Sequence, residues 1–117
     1  MTPEQFKLVA IAAIERQIAA GSRLTQGDWG KPGEDGCPVA CGCALTLTVQ
    51  DSDPKLARRM TMAGYESRLI AARHLGLSGS QVLGFIAGVD LNEGHGPWHK
   101  AGADVAARFG LATQVEP

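Results

Sequence analysis

"CPVACGCALTLTV", residues 37–49, places three cysteines within seven residues and then alternates leucine or valine with threonine. Pro38 can open a helix, with Gly36 or Cys37 as the preceding cap. Ala40, Cys41, Gly42, Cys43 and Ala44 are all small. A helix of such residues lets a neighbouring backbone approach closely, and a free cysteine behaves there as a small buried hydrophobe. The tail competes with that reading. Leu45, Leu47 and Val49 against Thr46 and Thr48 show the period of two expected of a strand. No second segment alternates in the same way, so a strand here would lack a partner. We read the stretch as helix. The fold class is then all-α: five to six short helices in one bundle, with a long Gly-rich loop after the first helix.

Working outward, the first helix starts at "TPEQ". Thr2 offers the cap, Pro3 the first helical position and Gln5 the reciprocal side chain of a capping box. Phe6, Ala10, Ile14 and Ile18 recur every four residues, and Val9, Ile11 and Ala13 widen that apolar face. Gly21 stops it. Residues 21–37 hold five glycines and a proline around Trp29, which forbids a regular element. Trp29 either folds back onto the core or serves as an interaction anchor. Asp28, Glu34 and Asp35 give this loop an acidic tint.

Beyond the cysteines, Ser52 or Asp53 caps a helix opened by Pro54, with Leu56, Met60 and Ala63 on one face. Gly64 breaks the run. Tyr65 to Leu75 continues as helix, with Leu69, Ala72 and Leu75 on the buried side and Glu66, Arg68 and Arg73 in water. Ser78 and Gln81 form a second capping box. Val82, Phe85, Ile86 and Val89 follow as buried positions, and Gly84 and Gly88 make a small-residue edge for close packing. The last helix starts at Pro97, with Trp98, Ala101, Val105 and Phe109 on one side. Residues 1–112 are read as a single all-helical domain and residues 113–117 as a frayed tail.

A chain of 117 residues with a net charge of −1 can build a core without staples. Its near-neutral balance gives no field for nucleic acid or an anionic membrane. No apolar run reaches the ~20 residues that span a bilayer. "MTPEQFKLV" lacks the basic start and apolar run of a secretion signal, so three reduced thiols in the cytoplasm are expected.

Four constellations carry possible chemistry. Cys37 and Cys41 stand four apart, as do His95 and His99, and together they offer a tetrahedral zinc set. Their separation is far longer than in a zinc finger, and Cys43 is left over. A thiol enzyme needs a favoured thiolate, and Cys37, at the expected helix start, alone qualifies. "AARHLGLSGSQVLGFIAG" has the spacing of a helix-turn-helix, but its second helix offers no Lys or Arg and only Ser80 and Gln81 for bases. "DLNEGHG" starts like a calcium loop, with Asp90, Asn92 and Gly94. His95 and Ala101 then occupy the sixth and twelfth positions, where glycine and glutamate are needed.

In order, the Trp29 loop, the small-residue stretch Cys37 to Ala44, the "LGLS" cap at Leu75 to Ser78 and the Gly88 to Asp90 turn resemble small all-helical bacterial and phage proteins, over residues 29–110. The resemblance implies an all-helical fold and brings no activity or site residues with it. The function expected is a non-enzymatic protein-interaction or regulatory domain, phage- or mobile-element-associated, that uses no cofactor. Its binding residues are Asp28, Trp29, Asp90, Asn92 and Trp98, on a surface joining the 21–37 loop to the 90–98 turn. The alternatives are a zinc-stabilised domain using Cys37, Cys41, His95 and His99, a helix-turn-helix regulator and, last, a small enzyme.

Overall fold

The segment "ALTLTVQ" is helical, and it is the helix around which the others pack. The computed structural model describes residues 1–34, 37–90 and 95–111; Asn92 and the 113–117 tail lie outside them. The six helices run α1 Pro3–Ala19, α2 Ala44–Ser52, α3 Pro54–Met60, α4 Glu66–Leu75, α5 Gly79–Asp90 and α6 Pro97–Arg108. Every residue of α2 from Ala44 to Gln50 is buried. A helix apolar on all sides belongs in a core, and the threonines are admitted because each hydroxyl is satisfied. Thr48 Oγ1 donates to the Ala44 carbonyl at 2.6 Å and Thr46 Oγ1 to the Trp29 carbonyl at 2.7 Å. Both threonine and leucine faces can therefore be dry, which is why the period of two misleads. Leu45, Leu47 and Val49 are fully buried. Each is worth about 1.5–3 kcal/mol of burial.

The all-α reading needs correction in the cysteine stretch. The helix starts not at Pro38 but at Ala44, with Cys43 as cap. Ahead of it lies a small three-stranded sheet, β1 Arg23–Leu24, β2 Gly30–Lys31 and β3 Cys41–Gly42, in the order β1-β3-β2. β1 runs parallel to β3 with Arg23 opposite Cys41, and β2 antiparallel with Gly30 opposite Gly42. Two of the strands fall inside the segment expected to be an irregular Gly-rich loop. Gly30 has φ +114°, and a β-carbon there would lie 2.5 Å from Gly42 Cα, so only glycine lets the strands meet. Pro38 opens no helix because the backbone after it is already engaged. The Val39 N–H donates to Gln50 Oε1 at 2.8 Å, and Ala40 N–H to the Lys31 carbonyl at 3.1 Å. Gln50 Nε2 donates to Ser22 Oγ at 3.0 Å, and Ser22 Oγ to the Val39 carbonyl at 2.7 Å. This buried polar set ties the sheet to the central helix.

Both capping boxes form as read. Gln5 N–H donates to Thr2 Oγ1 and Thr2 N–H to Gln5 Oε1; Ser78 and Gln81 repeat the exchange. The buried stripe of α1 is narrower than the sequence suggests: Phe6, Ala10, Ala13 and Ile14 are buried, whereas Val9 and Ile18 are exposed. In α4 the buried residues are Ser67, Ala71 and Ala72, and Leu69 is exposed. α1 is clamped to α2 by Arg16, which donates to both carboxylate oxygens of Asp51, the shortest bond being 2.6 Å. That bond holds the Asp51 carboxyl below its ordinary range. No helix among the described residues is long and apolar enough to cross a membrane.

α5 and α6 make the most extensive helix pair. A β-carbon at Gly88 would overlap the His99 carbonyl oxygen and lie 2.8 Å from the Ala103 nitrogen; one at Gly102 would overlap the Phe85 carbonyl. The helices thus touch main chain to main chain. The expected close-packing edge of Gly84 and Gly88 is real, but its partner is α6 rather than a cysteine helix.

Candidate functional site

The candidate site lies where the β1–β2 segment meets the C-terminus of α5. Gln26 Nε2 donates to the Val89 carbonyl at 2.7 Å, and the Gly27 backbone hydrogen-bonds the Asp90 carboxyl. These two bonds hold Asp28 and Trp29 over the end of α5. Gly27, Asp28, Trp29, Cys43, Ile86 and Asp90 line a cavity of ≈ 160 Å³. Through Trp29 and Ile86 it continues into a shallow groove of ≈ 340 Å³, bounded by Gly64, Tyr65, Arg68 and Leu83.

The cavity end is electronegative. Burial pushes the Asp90 carboxyl above its ordinary range; the Gly27 bond opposes that rise and the nearby Asp28 charge adds to it. Asp90 Oδ1 is buried with no hydrogen-bond partner among the described residues. Asp90 is also the last residue of α5, where its charge adds to the negative end of the helix dipole. Among the described residues, neither Asp28 nor Asp90 is in an ion pair. The groove end carries the opposite sign. Arg68 borders it, and its Nε is buried without a hydrogen-bond partner among the described residues. Between the two ends the surface is apolar: Trp29, Ile86 and Leu83, the last 49% exposed, with Tyr65 98% exposed alongside.

Asp28, Trp29 and Asp90, named from the sequence, therefore line one cavity. Trp98 does not join them. It packs against Phe6 with ring centroids 5.8 Å apart and sits beside Gly84, between α1, α5 and α6. Asn92 lies outside the described residues. Trp29 answers both alternatives posed for it: one part packs on the core and the remainder lines the cavity and groove. Tyr65, Arg68, Leu83 and Ile86 were not singled out as site residues. The signal was present in α5, where Leu83, Ile86 and Asp90 recur at helical spacing just off the buried stripe of Val82, Phe85 and Val89.

The four residues of the zinc alternative are placed apart in kind. Cys37 is exposed, Cys41 is buried in β3, His95 is exposed ahead of α6, and His99 is buried within α6. Cys37 and Cys41 share no helical face, because the chain between them is extended. Among the described residues no three His, Cys, Asp or Glu side chains are grouped to hold a metal ion. The helix start expected to activate Cys37 is likewise not there, since α2 begins seven residues later. Cys43 sits at that start, but burial raises its thiol pKa, which keeps it protonated. Ser52 Oγ and His74 Nε2 lie 2.7 Å apart and link α2 to α4. α5, the second helix of the helix-turn-helix spacing, carries no Lys or Arg, and its glycine edge is covered by α6.

Comparison of the chain with protein-family models, with curated proteins and with solved structures returned no match.

Proposed function

We propose that this chain is a non-enzymatic interaction domain that binds a protein partner through the groove over Trp29 and Ile86. One observation carries the proposal. The charged cavity at Asp28 and Asp90 is continuous with an apolar groove whose aromatic and aliphatic walls stand open to solvent. Exposed large apolar residues gathered beside a concave, polar-ended pocket mark interaction surfaces. Half-buried tryptophan is the residue type that most often dominates such contacts.

The groove competes with one other exposed apolar region, Leu8, Val9 and Ile18 on α1. A photo-crosslinking amino acid at Leu83 and, separately, at Leu8 distinguishes them in cells of the native host. Both positions are exposed enough to take the probe. A discrete adduct at position 83 that is absent at position 8 is expected. Equal labelling at both positions, or none at either, refutes the proposal.

A further inference from the structure

We infer that the groove takes a cationic protein segment, with a lysine or arginine side chain in the cavity between Asp28 and Asp90 and an adjacent apolar residue on Ile86 and Leu83. This rests on the reading of the groove as the partner surface and names what the partner must present.

Size narrows the choice first. A cavity of ≈ 160 Å³ is side-chain sized, well below the ~300–1,000 Å³ of sites that enclose a small-molecule ligand. Sign comes next. Asp28, Asp90 and the carbonyl end of α5 are all negative, and no described cation pairs with either carboxylate. A bare metal ion finds no third His, Cys, Asp or Glu in reach among the described residues. An organic cation does not need one. Its charge meets the two carboxylates, including the buried Asp90 Oδ1 that has no donor, while its aliphatic stem or guanidinium plane covers the Trp29 indole. A cation desolvated against an aromatic face and hydrogen-bonded to a carboxylate combines two favourable contacts.

The rest of the groove decides between a free cation and a protein segment. A polyamine laid along it would carry positive charge toward Arg68. A peptide segment reverses sign along its length: after its basic side chain it offers apolar carbons to Ile86 and Leu83, then carbonyl or carboxylate oxygens. Arg68 Nε, buried and without a described acceptor, fits those oxygens. Charge complementarity at both ends thus matches a segment in which a basic residue neighbours an apolar one.

The test pans a displayed library of random dodecapeptides against the full chain, then measures selected peptides by fluorescence anisotropy. Enrichment of Lys or Arg next to an apolar residue is expected. Changing that basic residue to Gln, or Asp90→Asn in the protein, is each expected to weaken binding about tenfold. The two changes together should cost little more than one, because they remove the same contact. Asp90→Asn keeps the acceptor for the Gly27 amide. Should circular dichroism show it unfolded, exposed Asp28→Asn carries the same test. Selected peptides that lose affinity with Leu83→Gln but are indifferent to Asp90→Asn and Asp28→Asn would overturn this inference and leave the partner-surface reading standing. No selected binder, or binders indifferent to Leu83→Gln and Tyr65→Ala as well, would overturn both.

Discussion

Along one edge of α5, Gly84 and Gly88 meet α6 so closely that main chain touches main chain; along the other, Leu83, Ile86 and Asp90 border an open groove. The two tryptophans follow the same division. Trp98 stacks on Phe6 at the closed edge, while Trp29 covers part of the core at the open edge and leaves the rest of its surface lining the groove. Where the neighbour is supplied by the same chain, the helix carries residues small enough to admit it. Where the neighbour is missing, it carries large apolar side chains and an uncompensated carboxylate. Consistency across packing, charge and hydrogen bonding is the rule in a foldable sequence, and departures from it concentrate at functional surfaces.

The contrast breaks most readily at Gly88. A methyl group there must displace the His99 carbonyl and the Ala103 amide, and main chain cannot swing aside. Overpacking against fixed backbone costs about 3 kcal/mol, against about 1 kcal/mol gained when alanine replaces glycine in a helix. Gly88→Ala should lower the melting temperature by on the order of 10 °C, measured by circular dichroism. An unchanged melting temperature would mean that the edge is not closed.

Gly84 sharpens the same point one turn away. Its added carbon would lie 3.2 Å from Trp98 Cβ, a contact a side chain can relieve by a small shift. The strain then roughly offsets the gain in helix propensity. Gly84→Ala should change stability by less than about 1 kcal/mol. A loss as large as that of Gly88→Ala would show that the Trp98 side of the seam is as rigid as the backbone side.

The open edge should tolerate what the closed edge does not. Leu83 is half-exposed and Tyr65 almost wholly so. Leu83→Gln should cost at most about 1 kcal/mol and Tyr65→Ala less than about 0.5 kcal/mol, while both weaken partner binding. Chemical denaturation of the two variants checks this. A cost above 2 kcal/mol at either position would make the groove a structural feature of the domain.

Much of the architecture is local and was legible. The helix starts at Thr2 and Ser78 are written in side chains that bond within the same turn, and Gly76, with φ +71°, ends α4 where expected. The sheet was hidden because two-residue strands are too short to show a period. The start of α2 was hidden because Pro38 is overruled from a distance: Gln50 and Ser22 hold the Val39 backbone in place. The cysteines misled for the same reason. Their spacing means one thing on a helix and another on a strand, and only tertiary contacts choose. At the candidate site, Asp28, Trp29 and Asp90 stood out by residue type, in a glycine-rich setting. Arg68 and Tyr65 come from α4 and the turn before it, and nothing local connects them to Trp29.

Asp90 gives the smallest effect and the one of opposite sign. Its folded-state pKa is raised, chiefly by burial. A raised carboxyl favours the folded state when protonated and loses that advantage as pH climbs through the folded value. At neutral pH the ionised group is therefore a burden, increased by its place at the negative end of α5 and lessened by solvent screening, because the residue is only half-buried. Asp90→Asn removes the charge and keeps the shape. At pH 7 it should raise the melting temperature by about 2 °C. The gain should shrink as pH falls and vanish below the model carboxyl value of 3.8, where the wild-type group is protonated in both states. Melting curves of the two proteins at pH 3, 5 and 7 measure this. A variant less stable than wild type at pH 7 would mean that the carboxylate is held by a stabilising contact, and the site would lose its unpaired charge.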